Sequence, residues 1–270
     1  MIPDKNKRPL NHGFTLVELM VALVIGFVLV AAASQIYLSN KQAFRFQQGQ
    51  GVVQENLRYA QYFLTTELQK AGFLPIASDS TQLVYGSQGS AGACPAFPAG
   101  QVVVPDTAGS GICYRYQENA ASLLGAGIRD CLGNLVTAGA MITSRIFINN
   151  NQLSCSVVAG GAATGTTVLV DGISNMQVSY GNDISGVGGA AEPDKIVDSY
   201  TAAPVALNGQ FYTVSLNISL LAKSTSANRN LVKVQQTYAF PADSSTTVTA
   251  PDREYYSSTS MTIVVKNMAQ

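Results

Sequence analysis

The stretch Phe14–Ala33, FTLVELMVALVIGFVLVAAA, decides how the rest of the chain can fold. It contains twenty residues, and its only strongly polar side chains are those of Thr15 and Glu18. Because a helix rises about 1.5 Å per residue, the stretch would span about 30 Å, which is the thickness of the hydrocarbon core of a bilayer. The stretch therefore predicts a membrane-spanning helix near the N-terminus.

The distribution of basic residues predicts how this helix is oriented. Lys5, Lys7 and Arg8 precede the apolar stretch, whereas the first basic residues after it are Lys41 and Arg45. Positively charged residues favour the cytoplasmic side of a membrane. We therefore expect a cytoplasmic N-terminus, with the rest of the chain on the far side.

The composition of the chain excludes several classes of function. Sixteen Lys plus Arg balance 16 Asp plus Glu, and 12% of residues are charged, so we expect no basic face and no nucleic-acid partner. The single histidine, His12, precedes the apolar stretch, which argues against histidine-based triads and histidine-ligated zinc. The remaining acids and lysines form no recognisable nucleophile motif, so we expect no enzyme activity and no cofactor.

The carboxylate of Glu18 separates three interpretations of the N-terminal segment. As a secretory signal peptide the segment offers a small-residue cleavage site at Ala31–Ala33, and as an ordinary anchor it stays uncut. Neither gives Glu18 a partner, although a charge at mid-depth in a membrane costs about 3 kcal/mol. Cleavage between Gly13 and Phe14 supplies one, because the new α-amino group lies one helical turn before Glu18 or faces the Glu18 of a neighbouring subunit.

The sequence His12–Met20, HGFTLVELM, resembles the class III signal of type IV pilins and type II secretion pseudopilins. In that family a short basic leader ends in Gly, Phe follows, and Glu is the fifth residue after the cut. The resemblance implies that a prepilin peptidase removes residues 1–13 by cutting after Gly13 and methylates the amino group of Phe14. It also implies that Glu18 pairs with the Phe14 amine of an adjacent subunit during assembly.

Apolar residues at helical spacing continue beyond the membrane stretch. They lie three or four residues apart, which predicts an amphipathic helix with one buried stripe. Gly72 and Pro75 are stop signals, so one helix would run from Phe14 to Ala71, about 87 Å. Gly26, Gly49 and Gly51 are its weak points, where it could bend. The residues of the stripe are Val53, Leu57, Ala60, Leu64, Leu68 and Ala71.

These patterns divide the chain into four parts. Residues 1–13 form the leader, residues 14–33 the transmembrane part of the helix, residues 34–72 its extramembrane part, and residues 73–270 a β-rich globular head. A helix followed by strands predicts an α+β fold. The resemblance to type IV pilins implies the pilin-like form of it, in which one long N-terminal helix packs on an antiparallel β-sheet head.

The head is predicted from alternating apolar and polar residues. Tyr212–Leu220 alternates most clearly, and we expect it to form an antiparallel hairpin with Val232–Phe240 after a turn at Ser224–Asn230. Asn149–Asn151 is predicted as a turn. The other predicted strands are Leu83–Tyr85, Gln101–Val104, Ile112–Tyr116, Arg145–Ile148, Leu153–Val157, Val168–Val170, Met176–Tyr180 and Met261–Val265.

Three Gly-rich segments are predicted as surface loops: Gly86–Ala93, Ala159–Gly165 and Gly181–Ala191. The last contains Gly186, Gly188 and Gly189, but Pro193 follows and no helix begins there, so a phosphate-binding loop is not favoured. The acids near this loop match no compact calcium-binding spacing, and we interpret them as solvated loop acids. These acids are Asp183, Asp194 and Asp198.

Four cysteines, Cys94, Cys113, Cys131 and Cys155, lie beyond the membrane stretch. Because we expect an oxidising compartment there, and because the chain has no CxxC pair, disulfides are favoured over zinc. Four cysteines allow three connectivities, and neighbourhood in sequence favours Cys94 with Cys113 and Cys131 with Cys155.

Short segments of the head resemble the PilW family of minor pilins. The resemblance implies a low-abundance pilus subunit that helps prime assembly and supports twitching motility and adhesion. Residues 243–270 depart from the family pattern. The segments that carry the resemblance are Ala71–Phe73, Cys113–Tyr116, Asp130–Gly133, Leu153–Cys155, Leu169–Ile173, Met176–Asp183 and Leu216–Ser224.

The same resemblance implies the partners and the location of the protein. Before assembly it would cross the inner membrane once, with a periplasmic head, and it would meet the prepilin peptidase and the pilus assembly platform. Through the N-terminal helix it would then pack with other minor pilins and the major pilin in an extracellular pilus. Two alternatives stay open: a type II secretion pseudopilin, and a membrane-tethered or released periplasmic enzyme or ligand-binding domain.

Overall fold

The structure is a computed structural model of the chain. It describes residues 13–74, 85–117, 127–137, 139–159, 162–185, 194–207, 210–211, 213–224 and 231–266. The chain divides into two compact units, Met1–Gln47 and Gln48–Gln270, which are described separately. Pro75, Leu83 and the glycines at 186, 188 and 189 lie outside the described residues.

The single helix, α1, spans Leu16–Leu68. Its first turn is capped by Thr15, whose Oγ1 accepts a hydrogen bond from the N–H of Glu18 at 3.2 Å, as Ser and Thr do at helix N-termini. The helix begins two residues after the predicted start. In the first unit every described residue from 13 to 45 is exposed.

The part of α1 in the second unit has the predicted buried stripe. All six predicted stripe residues are buried, and they form one core with residues of both large sheets. The helix ends three residues before the predicted end, because the N–H of Lys70 bonds the carbonyl of Glu67 at 3.1 Å and tightens the last turn. Gly72, at φ 75°, then turns the chain away, which confirms the predicted stop.

The helix continues through the three glycines at which a bend was considered. At Gly49 the reason is packing: a Cβ atom there would lie 2.5 Å from Cδ1 of Leu231. Gly49 therefore allows the close approach of the segment around Leu231. The glycine predicted as a possible bend serves helix packing instead.

The head contains two larger antiparallel sheets. The first has five strands in the order β1-β2-β3-β4-β5: Val103–Pro105, Gly111–Gln117, Met141–Asn149, Gln152–Ala159 and Ala162–Asp171. The second has the order β13-β10-β6-β7: Tyr256–Val264, Thr213–Lys223, Ile173–Asn182 and Ser199–Thr201. Two short pairs complete the described strands: β8 with β9, Ala206–Leu207 and Gln210–Phe211, and β11 with β12, Thr237–Ala239 and Thr247–Thr249.

This architecture confirms the predicted fold class. The predicted turn in the first sheet is also confirmed, since Asn150 and Asn151 both have positive φ, 51° and 58°, between β3 and β4. Two residues of positive φ are what a tight hairpin turn requires, and Asn adopts this conformation readily.

The predicted hairpin between Tyr212–Leu220 and Val232–Phe240 is wrong. Strand β10 is flanked by β6 and β13 along its length, so both of its edges are occupied. Within Val232–Phe240, Thr237–Ala239 forms β11 and pairs with β12. An alternating pattern predicts a strand, but it does not show which strand lies beside it. It also does not show burial here, because β10 is buried on both faces.

Two of the predicted loops are partly strand. Ala159 ends β4 and residues 162–165 begin β5, while Gly181 and Asn182 end β6. At Gly181 a Cβ atom would lie 2.3 Å from Oγ of Ser215 and 2.9 Å from Cε1 of Tyr200. The glycine in that strand therefore serves close packing, which composition alone does not distinguish from loop flexibility.

Candidate functional site

The predicted processing site lies on open chain just before α1. Phe14 is 86% exposed, and a Cβ atom on Gly13 would have no neighbour within 4 Å. Thr15 fixes where the helix begins, so the Gly13–Phe14 bond lies immediately outside the first helical turn. This geometry leaves the bond accessible to a protease.

Glu18 lies on the first turn of α1 and is exposed. Its carboxylate makes no hydrogen bond or ion pair within the described part of the chain. Thr15 and Glu18 have the spacing of a capping box, in which the Glu side chain would bond the N–H of the cap residue. Here only the Thr15 half is formed, a cap that the sequence analysis missed although its T-x-x-E spacing was available as a signal.

From residue 16 to residue 33 the surface of the helix is apolar on all sides, apart from Glu18. Val21, Leu23, Val24 and Leu29 are each more than half exposed, and the helical repeat places them on four different sides of the helix. An 18-residue window of α1 is long and apolar enough to cross a membrane, and none of it is buried. Such a surface can be covered by lipid or by other apolar helices.

In the second unit, polar contacts fix α1 to the first sheet. Glu67 is buried on the helix, and its Oε2 accepts a hydrogen bond from the hydroxyl of Tyr114 in β2 at 2.9 Å. Lys70 pairs with Oε1 of Glu67 at 2.6 Å and also donates to the carbonyl of Arg129 at 2.8 Å. Burial raises the pKa of Tyr114 well above its usual value, and the charge of Glu67 raises it further, so the phenol stays a donor.

Two further hydrogen bonds extend these contacts. Nδ2 of Asn56 donates to the carbonyl of Asp171 at the end of β5 at 2.9 Å. Nε2 of Gln61 donates to Oγ1 of Thr259 in β13 at 3.0 Å. Both large sheets are therefore tied to the same stretch of helix.

The four cysteines form two disulfide bonds, Cys94–Cys113 and Cys131–Cys155, with Cα–Cα distances of 5.8 and 6.3 Å. This is the pairing that sequence neighbourhood favours. The first bond joins the segment before β1 to β2, and the second joins the segment before β3 to β4. Each tethers an irregular segment to a central strand and restricts the unfolded chain.

Arg115 is a buried residue of β2 that the sequence analysis missed. Its guanidinium donates to the carbonyls of Gln101 at 2.8 Å, Gly86 at 2.8 Å and Pro98 at 3.1 Å. It also lies over the ring of Tyr85, 4.8 Å from the centroid. Burial lowers the pKa of Arg115 to about 10, which leaves it charged at neutral pH. Through these contacts Arg115 organises the segment before β1.

A further buried charge, Asp106, lies at the turn between β1 and β2. Oδ2 of Asp106 accepts hydrogen bonds from Nη2 of Arg145 at 2.6 Å and from Nε at 3.0 Å. Gly111 lies against this pair, since a Cβ atom there would be 2.5 Å from the carbonyl oxygen of Ile146 and 2.8 Å from Oδ2 of Asp106. The backbone can approach the pair only because this residue has no side chain.

The interpretation of Asp183 as a solvated loop acid is wrong. Its side chain is buried and accepts hydrogen bonds from the N–H of Lys195 at 2.6 Å, the N–H of Ser185 at 3.0 Å and the Ser185 hydroxyl. Burial alone would raise the pKa of Asp183, but these hydrogen bonds outweigh it and lower the pKa below its usual value. Asp194 and Asp198 are exposed and accept backbone N–H groups of the same segment.

Within the residues that the structure describes, no three His, Cys, Asp or Glu side chains come together as a possible metal site. The acids around Asp183 instead accept hydrogen bonds from backbone N–H groups of residues 184–185 and 195–196. The buried polar side chains described in the head therefore hold its own backbone in place. The exposed groups that could react or bind lie in the N-terminal segment: the Gly13–Phe14 bond and the carboxylate of Glu18.

Comparison with known proteins gives matches at both ends of the chain. A family model described as Type IV Pilus-assembly protein W matches residues 139–267, and one described as the prokaryotic N-terminal methylation motif matches residues 8–34. No curated protein matches significantly.

Solved structures of similar proteins include a type IV-like pilin from Thermus thermophilus. It is 14% identical with a TM-score of 0.45, and the alignment covers 80% of this chain and 98% of that one. A binary complex of two pseudopilins from the Type 2 Secretion System of Vibrio vulnificus also matches, at 10% identity and a TM-score of 0.33, covering 64% of this chain and 86% of that one.

Proposed function

We propose that the chain is a PilW-like type IV pilin, a minor subunit that helps prime pilus assembly and supports twitching motility and adhesion; the matches to the two family models support this. The observation that carries the proposal is that the exposed, apolar first part of α1, residues 16–33, carries the carboxylate of Glu18, which has no partner among the described residues. An isolated helix of this kind lacks both a cover for its surface and a partner for its charge. Assembly with other helices supplies both.

Processing prepares the helix for assembly. A prepilin peptidase cuts after Gly13 and methylates the amino group of Phe14, and the match to the methylation motif over residues 8–34 supports this step. The accessible Gly13–Phe14 bond, just before the capped first turn, supports it as well. The cut creates a positive amine near the start of an otherwise apolar helix.

Assembly then pairs charges between neighbours. The Glu18 carboxylate of one subunit pairs with the Phe14 amine of another, since an unpaired charge in hydrocarbon is costly and pairing favours the correct stagger. The assembly platform moves the helix from the inner membrane into the growing bundle, where it packs with other minor pilins and the major pilin. The head is periplasmic before this step and extracellular after it.

The head contributes rigidity to this mechanism. Glu67, Asn56 and Gln61 tie the helix to both large sheets, so a force applied along the helix reaches the whole head. The two disulfides and the buried Arg115 hold the irregular segments in place. We assign the protein no catalytic role.

Deletion and complementation in the native host test the proposal. The deletion strain should lose surface pili and twitching, and the wild-type gene should restore both. Glu18→Gln should restore them about a hundredfold less well, the equivalent of roughly 3 kcal/mol, because the charge pair is lost. Glu55→Gln, an exposed acid on the same helix, is the matched control and should complement fully.

Two results would contradict the proposal. If the deletion strain keeps its pili and motility but stops exporting enzymes, the protein is a secretion pseudopilin. If it keeps both pili and secretion, the protein works in neither assembly. Full complementation by Glu18→Gln would contradict the charge-pairing step alone.

A further inference from the structure

One edge of β6 has no strand partner over most of its length. On one side, β6 pairs with β10 from Ile173 to Asn182. On the other side, β7 pairs only with Tyr180, Gly181 and Asn182. Within the part of the chain that the structure describes, residues 173–179 therefore present an open edge on that side.

Strand β7 is short because the chain turns away after Thr201. The hydroxyl of Thr201 donates to the carbonyl of Ala203 at 2.6 Å, which closes a tight turn. Pro204 follows, and proline has no N–H with which to continue a ladder. The position in line with β7, beside residues 173–179, is thus not filled by the continuation of β7 itself.

Backbone groups face this open edge. The N–H of Met176 donates to Oδ1 of the adjacent Asn175 at 2.8 Å instead of to a strand. Because alternate residues of an antiparallel strand direct their backbone groups to the same side, those of Ser174 and Val178 face the same way. On that side neither makes a backbone hydrogen bond with another described residue. The edge therefore offers backbone donors and acceptors.

A groove of about 400 Å³ runs beside the same edge. None of its lining residues is charged. Tyr180 lines it too; this residue is 1% exposed, and its hydroxyl has no hydrogen-bond partner in the described part of the chain. The lining includes Met176 and Val178 of β6, Pro105 and Gly111 at the turn of the first sheet, Ala202 and Phe240.

We propose that this groove, the β6 slot, binds an extended and uncharged segment of another subunit as an added strand in line with β7. The open backbone edge recognises an extended chain by main-chain hydrogen bonds. The neutral walls disfavour a charged segment, since burying an unpaired charge is costly. The inference rests on the proposed function, because an assembly of pilins brings the chains of other subunits close to the head.

Two neighbouring alanines allow a matched test. Ala202 lines the slot at its β7 end and is exposed, whereas Ala203 is exposed and is not among the lining residues. Ala202→Arg should place a charge in the slot without disturbing the core. Ala203→Arg makes the same chemical change one residue away.

The first measurement uses the full chain in detergent and the uncharged peptide acetyl-Thr-Val-Thr-Val-Thr-Val-amide, whose residues favour strands. Residue-resolved hydrogen exchange should slow about tenfold at the amide of Val178 when the peptide is in excess. Ala203→Arg should retain this protection and Ala202→Arg should lose it. Unchanged exchange at Val178 would overturn the proposal, and so would equal protection in both variants or protection confined to the edges of β5 or β13.

The second measurement uses the native host and separates this inference from the proposed function. Ala202→Arg should reduce surface pili about tenfold, while Ala203→Arg should not. If Glu18→Gln abolishes pili but Ala202→Arg assembles as well as the wild type, the β6 slot is overturned and the proposed function stands. If Glu18→Gln has no effect, the failure lies in the proposed charge pairing.

Discussion

The two parts of α1 have opposite relations to solvent although they belong to one helix. From residue 16 to residue 45 every side chain is exposed, including that of Leu23, which is 66% exposed. In the second unit Leu64 is 0% exposed, as are Val53 and Ala60.

The difference shows that the two parts are built for different environments. A stripe on one face belongs to a helix that packs on a head, whereas an apolar surface on every face belongs to a helix that is surrounded by apolar material. The folded head provides the cover for the second part. The first part has no such cover among the described residues, and in the proposed function a membrane or other subunits provide it.

Truncating one leucine in each part of α1 should give the largest difference in stability between the two parts. Leu64→Ala should lower the free energy of unfolding of the head by about 3 kcal/mol, because it leaves a cavity in a closed core. Leu23→Ala removes the same atoms from an exposed site and should leave it unchanged. Denaturant unfolding of the full chain in detergent, followed by tyrosine fluorescence, measures both.

Equal losses of stability in these two variants would contradict the division of the helix. A loss in Leu23→Ala alone would mean that the head is stabilised by the first part.

Adding a side chain at a glycine should show the same difference between the exposed helix and the packed head, with a smaller effect on stability. At Gly26 in the first part an added Cβ would meet nothing within 4 Å, whereas at Gly111 it would meet the carbonyl oxygen of Ile146 at 2.5 Å. Gly111→Ala should therefore destabilise the head by about 2 kcal/mol, as overpacking does. The head control is Gly89→Ala, where nothing lies within 4 Å. Thermal unfolding distinguishes them, and a wild-type melting temperature for Gly111→Ala would show that this site tolerates a side chain.

A pH dependence should appear in the head through Asp183. Because its pKa is lowered in the folded state, Asp183 stabilises the fold above its unfolded pKa of about 3.9, and this contribution is lost as the pH falls through the folded pKa. Asp183→Asn should cost about 1 kcal/mol at pH 7 and flatten the acid limb of the stability profile. The exposed Asp243→Asn should follow the wild-type profile, and an identical acid limb in Asp183→Asn would contradict the assignment.

The sequence predicts those features that depend on local periodicity. The buried stripe of α1 follows from a spacing of three or four residues, and the Gly72 stop follows from the conformational freedom of one residue. The turn at Asn150 and Asn151 is equally local. The apolar stretch at residues 14–33 and its single acid, Glu18, can also be predicted, because no tertiary contact is needed to identify them.

Features that depend on distant residues could not be predicted in this way. Strand β10 pairs with β6 and β13 and not with Val232–Phe240, because pairing is decided by packing across the whole head. Arg115 looks like an ordinary polar residue of a strand, and its role depends on carbonyls that are 14 to 29 residues away. Likewise, the structural role of Asp183 depends on the N–H of Lys195, which lies on the other side of a loop.

In the proposed function, cleavage after Gly13 prepares the first part of α1 for assembly. Intact and N-terminal peptide mass spectrometry of the protein from its native host tests it most directly. The account predicts a mature chain that begins with methylated Phe14. A chain that begins at Ser34, or one that still begins at Met1, would contradict the account and leave an exported or anchored β-rich head.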